Sequence, residues 1–180
     1  MKYIMNYKTM LLFVCSLMFF SCKTARTGTG TSTTIEKESK IEKEAAKADE
    51  IYFTEQIKND FRAVSENTQY DFLVAYKATE PQYSILFFTK GFSGEEITVK
   101  NDNGTLFKNK ITTNEQTGLA KNMRIVNTST TSIYDKSTRK TIYINPEKAE
   151  KHKFIYVMKG NPDEEKPYKI TYSDKLRPER

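Results

Sequence analysis

Side chains capable of covalent or acid–base chemistry are scarce in this sequence. It contains one histidine, His152, and two cysteines, Cys15 and Cys22. His152 lies between Lys151 and Lys153 with no nucleophile elbow nearby, so we expect an exposed strand-edge residue and not a catalytic base. A zinc site needs at least three nitrogen, sulfur or oxygen ligands, which one histidine does not supply. The sequence predicts no catalytic residue, no metal site and no cofactor.

The paired acidic residues do not form a recognisable catalytic pair. Glu95 and Glu96 are adjacent, and adjacent residues on a strand point to opposite faces. The acids at 163–165 follow a Gly-Asn-Pro turn, where side chains are normally solvated. Asn101-Asp102-Asn103-Gly104 lacks the spaced oxygen ligands of a calcium loop and is typical of a plain turn.

A short apolar segment dominates the amino-terminal end. Residues 10–20 are almost all apolar and end at Ser21, and Lys2 and Lys8 precede them without any acid. The run is shorter than the roughly 20 residues that span a bilayer and has the length of a signal-peptide core. Residues 1–21 are therefore predicted to be a signal peptide that is removed on export.

Ser21 and Cys22, after Leu17 and Phe19, resemble the lipobox of bacterial lipoproteins. In that family a small residue precedes a cysteine that is lipidated and becomes the mature amino terminus. Phe19 stands where the family usually has leucine, and this looser form is similar to lipoproteins of the Bacteroidota. The resemblance covers only residues 1–22. It implies cleavage between Ser21 and Cys22 and acylation of Cys22, and two or three acyl chains would make a stable anchor.

The residues after the anchor predict a flexible tether at 22–34. They are mostly threonine, glycine and serine, which bury too little apolar surface to order the chain. The tether has no acidic run of the kind that resembles a surface-export signal, and no aspartate directly after Cys22. We therefore expect the protein to be anchored on the periplasmic face of the outer membrane.

Composition predicts one exported domain without disulfides. Hydrophobic residues make up 37% and charged residues 29% of the 180 residues. Lys2 and Lys8 account for two of the six net positive charges, so the remainder carries +4. This mild charge, with acids interspersed, argues against nucleic-acid binding. If Cys15 is removed and Cys22 is acylated, no pair of thiols is left to form a disulfide.

Residues 35–67 predict a helical spacer. Thr33-Thr34-Ile35-Glu36 fits a capping box, and mainly Glu, Lys and Ala follow as far as residue 50. The thin apolar stripe is too short for a coiled coil, so a solvated spacer is favoured over a docking helix. Ile57, Phe61 and Val64 recur at helical spacing and predict a further turn or two.

Residues 68–180 predict about eight or nine short strands separated by turn residues. Two are apolar on both faces and should be central in the core, at 83–89 and 153–159. The best hairpin signal is the Asn-Asp-Asn-Gly sequence at 101–104. The other strands are predicted at 70–76, 97–99, 105–112, 123–127, 132–134, 140–144 and 168–173.

This pattern predicts a mainly β fold, an antiparallel β-sandwich of immunoglobulin-like or jelly-roll-like type preceded by an N-terminal helix. A small barrel would give the same strand count. Residues 68–180 contain no cysteine and no tryptophan, so the hallmarks of a true immunoglobulin domain are missing.

Three functions remain open at this point. The first is a non-enzymatic binding or assembly module, held to the membrane through Cys22, with an envelope protein or glycan as its partner. Its signals are the 12% aromatic content and basic residues expected to be exposed, namely Lys108, Lys110, Arg124, Arg139 and Lys140. The second is a hydrolase of envelope or exported polymers, and the third an inhibitor of a cell-wall hydrolase. A continuous aromatic patch on one sheet would favour the first.

Overall fold

The computed structural model describes residues 51–178. Ser21, Cys22, the predicted tether and most of the predicted helical spacer lie outside this range. Nine strands and two helices are formed in it. In chain order they are β1 (Phe53–Ile57), α1 (Glu66–Ala75), β2 (Tyr83–Phe88), β3 (Ser93–Asn101), β4 (Gly104–Thr112), β5 (Lys121–Val126), β6 (Thr131–Asp135), β7 (Lys140–Ile144), α2 (Pro146–Lys151), β8 (Phe154–Lys159) and β9 (Tyr168–Ser173).

The strands form two sheets that pack face to face, which confirms the predicted mainly β, two-sheet domain. The first sheet has the order β1-β9-β8-β2-β5 and the second the order β4-β3-β6-β7. The second sheet is antiparallel throughout. In the first, β1 pairs with β9 and β2 with β8 in parallel. The expectation of purely antiparallel sheets was therefore wrong for the first sheet, and this mixed pairing differs from immunoglobulin and jelly-roll sheets.

Strands β2 and β8, both in the interior of the first sheet, are buried on both faces, as their continuous apolar sequences predicted. Leu86 and Phe88 on β2, with Ile155 and Val157 on β8, face the second sheet and belong to the main core. The alternate residues face the other side, where they form a second core. This second core contains Ile85, Phe87, Phe154 and Tyr156 from the sheet, with Leu73, Ala78 and Leu176 from the segments that cover it.

Helix α1 occupies residues that the sequence predicted as a strand at 70–76. Its N-cap is Ser65, whose hydroxyl accepts a hydrogen bond from the backbone N–H of Thr68. Phe72 stacks on Tyr76 and on Phe87 of β2, so the helix is held by the second core. The strand prediction was wrong because aromatic residues that favour strands here pack on one side of a helix, and tertiary packing overrides such a preference.

Strand β1 lies where helical turns were predicted. Ile57 ends β1, and Phe61 and Val64 lie in the loop before α1. The prediction of helix at these residues was wrong, because β1 adds to the sheet edge by pairing with β9. The β-sheet structure therefore begins before residue 68.

The predicted hairpin at residues 101–104 is confirmed. β3 and β4 are antiparallel, and Asn101 pairs with Gly104 across a two-residue turn. Gly104 takes a φ of +113°, which favours glycine, and Asn101 Oδ1 accepts from the backbone N–H of Asn103 at 2.9 Å. The register of the hairpin shifts once close to this turn, between Val99 and Lys100.

Candidate functional site

The outer face of the second sheet carries a shallow concavity of about 630 Å³. Because strand residues alternate between faces, β3, β4, β6 and β7 place one set of alternate residues, which are mostly polar, on this face and their isoleucines and Val99 in the core. We call this surface the tyrosine–lysine face. It consists of Glu96, Thr98, Lys100, Thr105, Lys108, Ser132, Tyr134, Lys136, Thr141 and Tyr143.

Two tyrosines are the large exposed side chains of this face. Tyr134 is 38% and Tyr143 48% exposed, and Tyr70, at 62%, is the one other exposed aromatic residue of the described range. The register pairs Tyr134 with Thr141 and with Thr98, and Tyr143 with Ser132. The phenol rings therefore stand among small hydroxyl-bearing neighbours, which leaves them accessible from solvent.

The charge of the face is positive. Lys100 and Lys108 are exposed, and neither makes an ion pair with another residue of the described range. Lys136 lies with its Nζ 3.3 Å from both carboxylate oxygens of Glu96. Since Glu96 is the one acid among the lining residues, the face keeps a net charge of +2.

Other basic residues singled out from the sequence are divided between different surfaces. Lys110 is exposed and lies opposite Glu96 in the strand register of the β3–β4 hairpin. Arg124 lies on β5, with its guanidinium 4.3 Å from the Tyr83 ring. Arg139 has a φ of +57° before β7, and Lys140 is half-buried against Tyr52. Only Lys108 of the five predicted residues lines the tyrosine–lysine face.

His152 ends helix α2 instead of lying on an exposed strand edge. Its side chain is 11% exposed, and its Nδ1 lies 2.9 Å from Asp174 Oδ1. The nearby Ser84 hydroxyl donates to the backbone carbonyl oxygens of Ala149 and His152, at 2.8 and 3.1 Å. Among the described residues, no hydroxyl or thiol is hydrogen-bonded to the His152 ring. The histidine and its carboxylate partner thus join α2 to the end of β9.

A buried ionic network connects the two sheets at one end. Lys159 of β8 donates to Asp135 Oδ2 at 2.8 Å, to Glu95 Oε1 at 2.9 Å and to Ser137 Oγ at 3.2 Å. The Tyr168 hydroxyl donates to the same Asp135 oxygen at 2.8 Å. As expected for adjacent strand residues, Glu95 and Glu96 point to opposite faces, one into this network and one onto the tyrosine–lysine face.

The network shifts the pKa of each ionised member toward its charged form. Burial alone would raise the pKa of Asp135, but hydrogen bonds from Lys159, Ser137 and Tyr168 outweigh it and hold that pKa below its usual value. Burial opposes the charge of Lys159 too, and its two carboxylate partners raise its pKa nonetheless. A lysine that stays protonated between two carboxylates is not a candidate general base. We therefore assign the network a structural role, which is to hold the two sheets together.

A second half-buried cluster fixes β1. The Tyr172 hydroxyl donates to Glu55 Oε1 at 2.7 Å, and Lys148 Nζ of α2 is paired with Glu55 Oε2. Burial raises the pKa of the Tyr172 hydroxyl, and its bond to the Glu55 carboxylate raises it further.

Among residues 51–178, no three histidine, cysteine or acidic side chains are grouped as metal ligands. Neither of the described helices is long and apolar enough to cross a bilayer.

The sequence did not predict that the residues of the tyrosine–lysine face lie together on one surface. Tyr134 and Tyr143 alternate with buried residues on β6 and β7, which is a readable signal of their common orientation. The pairing of β3 with β6, which brings the lysines beside them, is not local and has no such signal.

Comparison of the chain with family models, with curated proteins and with solved structures gave no match.

Proposed function

We propose that this protein is a membrane-anchored envelope lipoprotein whose β-sandwich domain is a non-enzymatic binding module. Acylation of Cys22 would hold it to the periplasmic side of the outer membrane. The support is the arrangement of Lys2, Lys8, the apolar run and Ser21 before that cysteine. Residues 22–50 would then separate the domain from the lipid surface.

The tyrosine–lysine face carries the binding part of this proposal. It combines exposed phenol rings, which offer an apolar surface with a hydrogen-bonding tip, with unpaired lysine ammonium groups. Thr98, Ser132 and Thr141 add hydroxyl groups between them. This chemistry fits a glycan with acidic sugars, whose rings contact the tyrosines and whose carboxylates meet Lys100 and Lys108.

A glycan fits the face better than a stable protein partner does. Stable protein interfaces have a well-packed centre that is depleted in charged residues. Here three lysines and a glutamate lie among the two tyrosines, and no aliphatic residue of the described range lines the concavity. Weak contacts of this kind gain strength on a polymer, because many repeat units present the same groups to the face.

The test is binding of the full chain in phosphatidylcholine nanodiscs to polygalacturonate, measured beside fully methyl-esterified polygalacturonate. The ester removes the carboxylate charge and keeps the sugar backbone. We expect binding to the acidic form that weakens with added salt, and weaker binding to the ester. Exposed charge pairs contribute about 0.2–1 kcal/mol each, so Lys100→Gln with Lys108→Gln should weaken binding about fivefold.

A charge-matched control uses Lys151→Gln with Lys166→Gln, since both lysines are exposed and neither lines the face. This control should bind like the wild type. Tyr134→Ser with Tyr143→Ser should weaken binding to both polymers, because the tyrosines contact the ring and not the charge. Equal losses in the face variant and the control variant would refute the assignment of the site, and no binding to either polymer would refute the glycan class.

A further inference from the structure

The outer face of the first sheet is only partly covered, and two adjoining cavities open there. Their volumes are about 710 and 490 Å³. Both are lined by Thr89, Tyr156, Met158, Arg177 and Pro178, so they lie side by side along β8. We call the two together the Arg177 cleft. Cavities of about 300–1,000 Å³ are the size of small-molecule sites in proteins.

The floor of the cleft is apolar and aromatic. The smaller cavity adds Phe72 of α1 and Phe87 of β2 to Tyr156 and Met158, and the larger one adds Phe61. Phe87 stacks on Tyr156 with ring centroids 4.9 Å apart, which gives the floor a rigid surface. This is the environment that an acyl chain or a hydrophobic ring requires.

Arg177 supplies a positioned cation within this apolar surface. Its guanidinium carbon lies 4.3 Å from the ring centre of Phe61 and 4.3 Å from that of Tyr156. Its backbone N–H donates to the Tyr156 hydroxyl at 3.0 Å, which fixes the start of the side chain. Its buried Nε has no hydrogen-bond partner among residues 51–178. A guanidinium that lies between two rings and makes no ion pair with a carboxylate of the described range can bind an anion.

The rim of the cleft has the same sign of charge. Lys58, Arg62 and Lys169 line the larger cavity and Lys90 lines the smaller one, and no aspartate or glutamate of residues 51–178 lines either. Lys58 is partly offset by Asp60, whose carboxylate lies 3.6 Å away on the surface. The cleft therefore joins an apolar floor to a positive rim.

We propose that the Arg177 cleft binds a small amphipathic anion, with its acidic group on Arg177 and its apolar part on Phe72, Phe87 and Met158. The complementary charge selects an anion, and the aromatic floor selects an acyl chain or a ring. This site lies on the first sheet and is separate from the tyrosine–lysine face on the second. It does not depend on the function proposed for that face.

The test follows the methyl group of Met158 by NMR in the full chain, ¹³C-labelled at methionine methyls and held in phosphatidylcholine nanodiscs. Octanoate and the neutral octanamide are the two probes, since they share one acyl chain and differ in charge. We expect a saturable shift of the Met158 signal with octanoate and at least about tenfold weaker binding of octanamide. A charge-assisted hydrogen bond of about 1.5–3 kcal/mol gives that ratio.

Arg177→Gln should remove most of the preference for octanoate over octanamide, because the charge-assisted hydrogen bond to the carboxylate is lost and only the rim cations still favour the anion. The matched control is Arg124→Gln, which removes an arginine stacked at the same 4.3 Å distance on Tyr83, outside the cleft. It should keep the preference. The fold of each variant is checked by the signal of Met123, which lines neither cavity.

Three results would overturn the proposal. The first is equal affinity of the wild type for both probes, and the second is a Met158 signal that does not saturate with octanoate. The third is occupation of the cleft by protein. Nuclear Overhauser contacts from Met158 to residues 1–50 would assign the cleft to the chain itself, and a shift that depends only on protein concentration would assign it to a second copy.

Discussion

Replacing Lys159 by methionine would remove the cation of the buried network and leave most of its volume filled. The Lys159 and Asp135 side chains are each 2% exposed, and that of Glu95 is 15% exposed. Water can therefore solvate Glu95 in part, but it does not reach Asp135. The variant leaves a buried carboxylate without its counter-ion, held only by neutral donors on Ser137 and Tyr168.

We expect Lys159→Met to lower the free energy of unfolding by about 3–5 kcal/mol, the usual cost of removing one partner of a buried ion pair. Adding Asp135→Asn should recover part of this loss. The amide oxygen can keep the hydrogen bonds from Ser137, and the amide NH2 group, which replaces the oxygen facing Tyr168, can donate to the Tyr168 hydroxyl. The uncompensated negative charge is gone. The recovery should be about 1–2 kcal/mol.

The assay is urea unfolding of the full chain in nanodiscs at pH 7, followed by tyrosine fluorescence. Lys136→Met is the control, because it removes the same type of side chain from an ion pair with the neighbouring Glu96. Lys136 is 65% exposed, so this change should cost at most about 1 kcal/mol. A loss for Lys159→Met no larger than that of the control would refute the reasoning, as would a further loss on adding Asp135→Asn.

Two more predictions concern the same end of the fold. Burial would raise the pKa values of Asp135 and Glu95, but their bonds to Lys159 outweigh it and hold both below the usual range. The unfolded chain therefore binds more protons in acid, so urea unfolding should show full stability above about pH 5 and a loss below about pH 4 that is smaller in Lys159→Met. Gly91 has a φ of +90°, and an added Cβ would lie 1.9 Å from the Lys159 carbonyl oxygen. Gly91→Ala should cost more than about 3 kcal/mol in urea unfolding. Gly104→Ala, at φ +113° with open space around it, should cost about 1–3 kcal/mol, and equal costs would contradict the clash.

The strands that the sequence predicted correctly are those with strong local signals. β2 and β8 are continuous apolar runs, and the β3–β4 hairpin is marked by Asn101 and Gly104. These signals depend only on residues that are neighbours in the sequence, so they can be read without knowledge of the tertiary structure. The parallel pairing of β1 with β9 joins residues more than a hundred positions apart and leaves no local trace.

Helix α1 and β1 show how tertiary contacts override local preference. Phe72 and Tyr76 favour a strand by residue type, yet they stack on each other one helical turn apart. Ser65, followed by Glu66, is a capping signal that identifies the helix start. β1 was predicted as helical because Ile57, Phe61 and Val64 recur at helical spacing. The contacts that hold it as a strand come from residues distant in sequence, since Glu55 pairs with Lys148 and Tyr172.

The candidate sites were less predictable than the fold. The sequence predicted that five basic residues would be exposed, but not which of them share a face with exposed aromatic residues. Lys108 of β4 and Tyr134 of β6 share a face only because both strands pair with β3, which lies between them in the sheet. Arg177 lies near the end of the chain, where an arginine is typical of a solvated tail, and its two ring contacts depend on Phe61 and Tyr156 from distant segments.

The central claim, that Cys22 anchors this binding module to a membrane, is tested most directly by the intact mass of the protein extracted from the membrane fraction. The account predicts a chain that begins at Cys22 and carries two or three acyl groups, and a Cys22→Ala variant that is not acylated and leaves the membrane fraction. A mass equal to an unmodified chain, cleaved elsewhere or still beginning at Met1, would contradict the anchor and the compartment inferred from it.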